Sequence, residues 1–179
     1  MTEMSSIITL SEQSEKILPF REIKIAEDHE IHVRGKTLFQ GYWEGETLIP
    51  QNNEWFPTKD LGRFNKHGNL EIIGRKDRQF ISGGENIQPE EIERALCALP
   101  GIRHAIVLPI SDPEFGERPI AFIDDETNSH TVDSIKEGLR SHLPSFKHPI
   151  RLFPYPPENG VKPNLPLLKR HLKVLSKPD

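Results

Sequence analysis

The hydrophobic pattern of this 179-residue chain first turns from strand period to helical period after the glycine pair Gly83 and Gly84. That change is the strongest constraint on its fold, because a strand-period sequence does not settle as a helix, nor the reverse. Before the pair, no segment of helical period and useful length occurs. "REIKI" (21–25), "EIHVRG" (30–35) and "TLFQGYW" (37–43) are short runs rich in β-branched and aromatic residues, which suit pleated, half-buried strands. "AEDHE" lies between the first two as a hairpin connection. "EWFPTKDLGRF" and "NLEIIG" continue the pattern across the turn signal "NKHGN" (65–69).

After the pair the period becomes helical. Pro89 suits a first helical turn, and Glu90 and Glu91 put negative charge at the positive end of the helix. Ile92, Ala95, Leu96 and Leu99 then share one face, and Pro100 and Gly101 stop the helix. "HAIVLPI" (104–110) and "RPIAFID" (118–124) read as strands, with "SDPEFGE" between them. "TVDSIKEGLRSHL" (131–143) reads as a second amphipathic helix, capped by Thr131 and closed by Pro144. Prolines crowd the remainder, which is mostly extended, with one short helix around 167–172. The order predicts an α+β fold: a β-rich part over residues 1–76, then a small α+β domain over 77–179. The boundary falls inside "GRKDR" (74–78).

Composition bounds the function. A net charge of −4 gives no global basic field, which argues against nucleic acid as a partner. One cysteine, Cys97, excludes an intramolecular disulfide and fits a reducing compartment. There is neither a long apolar run nor a basic, apolar start, so no membrane span or signal peptide is expected. The expectation is a soluble cytoplasmic protein.

Several residues could carry chemistry. If "NLEIIG" folds back along "DLGRF", Asp60 and Arg75 meet at one end of a hairpin. A carboxylate accepting from vicinal hydroxyls beside a donating guanidinium can grip a ribose; an ordinary surface ion pair explains the same spacing. Gly83 and Gly84 either supply a turn with positive φ or let an extended ligand pass close to bare backbone. They are not a Walker loop, since no Gly-Lys-Ser/Thr follows. His29 and His32 are the closest histidine pair and lack partners at metal-ligand spacing. Cys97 reads as an inert packing residue. Lys162, in "PENGVKPNLP", is either an ordinary exposed lysine or a point charge on a stiff-sided loop, deliverable to an anion.

In combination, "TKDLG", then "GRKD…ISGGENIQPEEIE", then a lone lysine near the C-terminus resembles the acyl-adenylate-forming enzymes, a family of acyl- and aryl-CoA ligases, adenylation domains and luciferases. The resemblance covers almost the whole chain. It implies a reaction using ATP, Mg²⁺ and CoA on a small carboxylic acid. By this resemblance Asp60 binds the ribose hydroxyls, Arg75 supports it, and Asp77 is a hinge. Gly83 and Gly84 match a segment that lines the pantetheine tunnel, and Lys162 matches the adenylation lysine. The usual Ser-Gly-Lys context of that lysine is replaced by Asn-Gly-Val-Lys, with Lys169 a substitute. "MTEMSS" resembles the end of a Tyr-Gly-x-Thr-Glu motif, so that Thr2 would contact the α-phosphate and Glu3 would help hold Mg²⁺. On that reading residues 1–76 are the end of a large domain, residues 77–179 are a lid, and the chain is a C-terminal fragment, inactive without its N-terminal portion. The alternatives are a free-standing, non-catalytic binding or lid module, and a ligase for a different carboxylic acid.

Overall fold

A computed structural model describes residues 2–4, 17–156 and 164–175. The chain divides into two compact units, Met1–Asp77 and Arg78–Asp179. The fold is α+β, with the α-helices of the described residues confined to the second unit.

In the first unit β1 (Arg21–Ile25), β2 (Glu30–Gly35), β5 (Phe56–Phe64) and β6 (Leu70–Arg75) form an antiparallel sheet in the order β1-β2-β5-β6. β3 (Gly41–Glu44) and β4 (Thr47–Pro50) form a separate hairpin. The run expected as a strand over 37–43 begins its ladder only at Gly41, because the Leu38 N–H turns back to the Gly35 carbonyl at 3.1 Å. Ile31 and Val33 of β2 alternate into the core beside Met4, with Ile23, Ile25, Leu38, Phe56 and Leu70 around them. The "NKHGN" turn is held by Asn65, whose Oδ1 accepts from the backbone N–H groups of His67 (2.9 Å) and Asn69 (3.0 Å).

The ladder between β2 and β5 is irregular. Glu30 of β2 faces Leu61 of β5, whereas His32 faces Pro57. Two residues of β2 therefore span four of β5, and Thr58, Lys59 and Asp60 bulge out opposite Ile31.

The second unit is built on β10 (Gly116–Asp125). β9 (Ile102–Asp112) pairs along its whole length, antiparallel. On its other edge β11 (Leu152–Pro154) runs parallel at Ala121, Phe122 and Ile123, while Ser82 of β7 (Phe80–Ser82) meets Gly116. β7 and β8 (Glu85–Ile87) form a hairpin, so a short strand separates the glycine pair from α1 (Pro89–Cys97). Side chains of β9 and β10 alternate between two cores. Ala105, Val107, Ala121 and Ile123 face Ile92 and Leu96 of α1 and Ile135 and Leu139 of α2 (Val132–Leu139). Ile106, Leu108, Ile120 and Phe122 face Leu168 of α3 (Leu165–Leu175). Ile92 and Leu96 are fully buried, each contributing about 1.5–3 kcal/mol by burial.

Thr131 caps α2 as its position suggests: its side chain accepts from the Ser134 N–H at 3.2 Å, and Ser134 Oγ accepts from the Thr131 N–H at 2.9 Å. The helix closes at Leu139, before the expected 143, and the chain continues in turns to Pro144. Cys97 ends α1 one position past buried Leu96 and is exposed, which corrects its reading as a packing residue.

Candidate functional site

The β5–β6 register sets Asp60 directly opposite Arg75. Arg75 Nη1 donates to Asp60 Oδ1 at 3.3 Å. Its Nε and Nη2 donate to Asp77 Oδ1 and Oδ2 at 3.1 and 2.8 Å, a fork matched to a carboxylate. One guanidinium thus bridges the acid of "TKDLG" and the last residue of the first unit.

The two acids are tuned in opposite directions. Burial pushes the Asp60 carboxyl up; Arg75 offsets part of that, and the negative charges of Asp77 and Glu3 add to it. Hydrogen bonding to Arg75 holds Asp77 below its ordinary value, against partial desolvation. The Asp60 side chain retains 31% exposure. A carboxylate has about four lone-pair sites, so a partner reaching it from solvent finds acceptors beyond the one Arg75 engages.

Glu3 lies in the 3₁₀ turn Thr2–Met4, pinned by buried Met4 and by the Phe39 N–H, which donates to the Glu3 carbonyl at 2.8 Å. Tyr42 donates its hydroxyl to Glu3 Oε1 at 3.3 Å. Thr2 belongs to the same turn. The first unit therefore assembles Asp60, Arg75 and Asp77 in direct contact, with Glu3 close enough to bias Asp60 electrostatically.

Gly83 and Gly84 belong to the second unit. They are the two central residues of the β7–β8 hairpin, with φ of 59° and 86°. Positive φ at both positions is the requirement of a type I′ turn, which glycine meets without strain. The turn reading of the pair is thus met by the backbone. A Cβ on Gly83 would also sit 2.9 Å from Phe115 Cδ1, whereas one on Gly84 would enter open space. Lys162 lies outside the described residues, and Lys169 is exposed on α3.

Two bonded groups were not singled out from the sequence. Lys76 donates to Asp28 Oδ2 (2.6 Å) and Glu30 Oε2 (2.7 Å), and these two acids raise its pKa. Arg78 donates to Glu90 Oε1 (3.0 Å), to both oxygens of Glu93 (3.1 and 2.5 Å) and to the Val107 carbonyl (3.2 Å). The charges were visible in "GRKDR", but their partners are 12 to 48 residues away in sequence and have no local signature. Among the described residues, no group of three or more His, Cys, Asp or Glu is arranged to hold a metal ion, and no helix is long and apolar enough to cross a membrane.

Residues 91–155 match the family described as AMP-binding enzyme C-terminal domain. A 2-succinylbenzoate–CoA ligase of Salmonella typhimurium is 43% identical over 150 residues, covering 81% of this chain and 32% of that protein. The chain is similar in structure to wild-type Escherichia coli MenE with a bound m-phenylether-linked analogue of OSB-AMS: TM-score 0.80, 33% identity, 97% of this chain and 39% of that one. It is also similar to Bacillus subtilis o-succinylbenzoate CoA synthetase (MenE) in complex with the acyl-adenylate intermediate OSB-AMP: TM-score 0.72, 29% identity, 86% of this chain and 36% of that one. The chain spans about a third of the length of the relatives it matches.

Proposed function

Because the chain belongs to the acyl-adenylate-forming enzymes and carries their C-terminal domain, we propose that it is the C-terminal part of a cytoplasmic, AMP-forming acid–CoA ligase for 2-succinylbenzoate, a step of menaquinone biosynthesis. In the first half-reaction the carboxylate attacks the α-phosphorus of ATP, giving acyl-AMP and pyrophosphate. In the second the CoA thiol attacks the acyl carbon and AMP leaves.

The observation that carries this reading is the Asp60–Arg75–Asp77 cluster. Asp60 accepts from the ribose hydroxyls of the nucleotide, and Arg75 fixes its orientation. Asp77 closes the first unit as the pivot, and residues 78–179 act as the lid. Gly83 and Gly84 offer pantetheine a turn without side chains. Thr2 contacts the α-phosphate. Mg²⁺ is typically held by one or two carboxylates plus substrate phosphates, and Glu3, anchored by Tyr42, is a donor of that kind. When bound, the ion neutralises charge on the phosphoryl oxygens. Lys162 supplies a positioned cation to the α-phosphate in adenylation; loss of one such group costs about 2.7–4 kcal/mol of barrier, by analogy with oxyanion donors.

The test uses a longer polypeptide that carries the remaining length of the relatives ahead of this chain. ATP–pyrophosphate exchange with 2-succinylbenzoate is measured beside thioester formation from supplied acyl-AMP and CoA. Lys162→Ala is expected to abolish the first and spare the second. Equal loss of both removes the role assigned to Lys162, and exchange unaffected by Asp60→Ala removes the nucleotide reading of the cluster. This chain by itself is expected to show no exchange.

A further inference from the structure

Asp60 stands at the end of the bulge in β5, and the residue before it is under strain. Lys59 has φ of +62°, a left-handed conformation that costs a non-glycine residue free energy and persists only where its surroundings enforce it. Two buried side chains of the sheet enforce it. Glu30 is the buried acid of β2, its side chain only 8% exposed. Its Oε1 accepts the Lys59 N–H at 2.9 Å, while its Oε2 accepts Lys76 Nζ at 2.7 Å. Thr58, the residue before Lys59, donates its hydroxyl to the Ile31 carbonyl at 2.8 Å and accepts the Asp60 N–H at 3.1 Å.

We propose that Glu30 is a positioning residue for nucleotide binding: by holding the Lys59 N–H it fixes the bulge that turns the Asp60 carboxylate to face Arg75 and the ribose. The proposal rests on the ribose reading of Asp60. Glu30 touches neither nucleotide nor Asp60 itself; it acts through the backbone of Lys59. Its position on β2, across the ladder from Leu61, puts it where the register shift occurs. The ammonium of Lys76 on its second oxygen keeps the buried carboxylate compensated, so the acceptor is retained as an anion rather than lost to protonation.

The experiment compares AMP with 2′,3′-dideoxy-AMP, titrated by NMR into the full chain and its Glu30→Ala, Glu30→Gln and Asp60→Asn variants. Hydrogen exchange of the Lys59 amide is followed in parallel. The wild type is expected to favour AMP about tenfold, a contrast due to the ribose hydroxyls, and Asp60→Asn to lose it. Glu30→Ala is expected to lose both that preference and the protection of the Lys59 amide, while amides of Ile31 and Val33 stay protected. Glu30→Gln keeps an acceptor oxygen and is expected to stay within about threefold of wild type. A full AMP preference in Glu30→Ala, with the preference lost in Asp60→Asn, overturns the role of Glu30 and leaves the ribose reading standing. A wild type without preference, or an unchanged preference in Asp60→Asn, overturns the ribose reading and this proposal with it. Should Glu30→Ala fail to fold, Glu30→Gln decides: a preference within threefold of wild type supports the acceptor role, and one as low as in Asp60→Asn overturns it.

Discussion

Replacing Arg78 by alanine should weaken the second unit and leave the first untouched. The Arg78 side chain is 16% exposed, and its partners Glu90 and Glu93 are 17% and 13% exposed. Three of its four hydrogen bonds go to those carboxylates and the fourth to the Val107 carbonyl. Removing one member of a buried ion pair costs about 3–5 kcal/mol, because the other is left desolvated and uncompensated. Here the sites keep some solvent, and Glu93 Oε1 still accepts the Val107 N–H at 2.8 Å, so about 2–4 kcal/mol is expected. With a urea dependence of about 1.5 kcal/mol per M for a unit of this size, the midpoint falls by roughly 2 M. The chain supplies its own separate probes. Both tryptophans, Trp43 and Trp55, belong to the first unit, whereas α1, α2 and α3 all belong to the second. Ellipticity at the helix band therefore follows the second unit, and tryptophan emission the first. The ellipticity midpoint should drop while the emission midpoint stays in place. Equal shifts in both, or a drop in the ellipticity midpoint below about 0.5 M, would refute the confinement of this network to one unit or its strength.

Other perturbations draw on the same geometry. Lys59→Gly relieves a left-handed residue worth about 1–2 kcal/mol but adds about 0.5–1 kcal/mol of chain entropy, so the first unit should gain about 0.5–1 kcal/mol, read from the emission midpoint in urea. Gly84→Ala should cost about 1–2 kcal/mol for its positive φ alone, and Gly83→Ala about 1–3 kcal/mol more for its collision with Phe115; ellipticity in urea ranks the two, and the reverse order would discredit the contact. Asp125 is held well below the ordinary carboxylate range by the Thr127 hydroxyl and by the backbone N–H groups of His130 and Thr127. Its depressed folded-state value means that it stabilises above the unfolded value near 4, and that this contribution is lost as pH falls further. Stability measured from about pH 5 downward should therefore decline less steeply in Asp125→Asn than in wild type.

How much of the fold and the site was legible in the sequence depended on how far each feature reached along the chain. α1 was readable from Pro89 and the spacing of Ile92 and Leu96, and Thr131 announced α2, since caps and periodicity act within a turn or two. The pairing of Asp60 with Arg75 was readable as well, because a hairpin turn sets its own register. β8, three residues long, was hidden between the glycines and the helix, and β4 and β11 were too short to show a period. α3, expected around 167–172, runs from Leu165 to Leu175. The bulge at Lys59 could not be read from "TKDLG" at all. It exists because Glu30, 29 residues earlier, captures a backbone N–H, and nothing local distinguishes that glutamate from its exposed neighbours.

The residues on either side of Asp77 are each tied down within their own unit, Lys76 to Asp28 and Glu30, Arg78 to Glu90 and Glu93. A flexible connector of many residues would let its two ends sample a broad cloud of separations, with encounter governed by chain statistics. The connection at Asp77 is one residue thick and bonded at both neighbours. If Asp77 is the pivot proposed above, its backbone torsions carry the motion, and such torsions fall into a few discrete wells. Inserting a short run of glycines at that point would then replace those wells with the statistics of a loose tether.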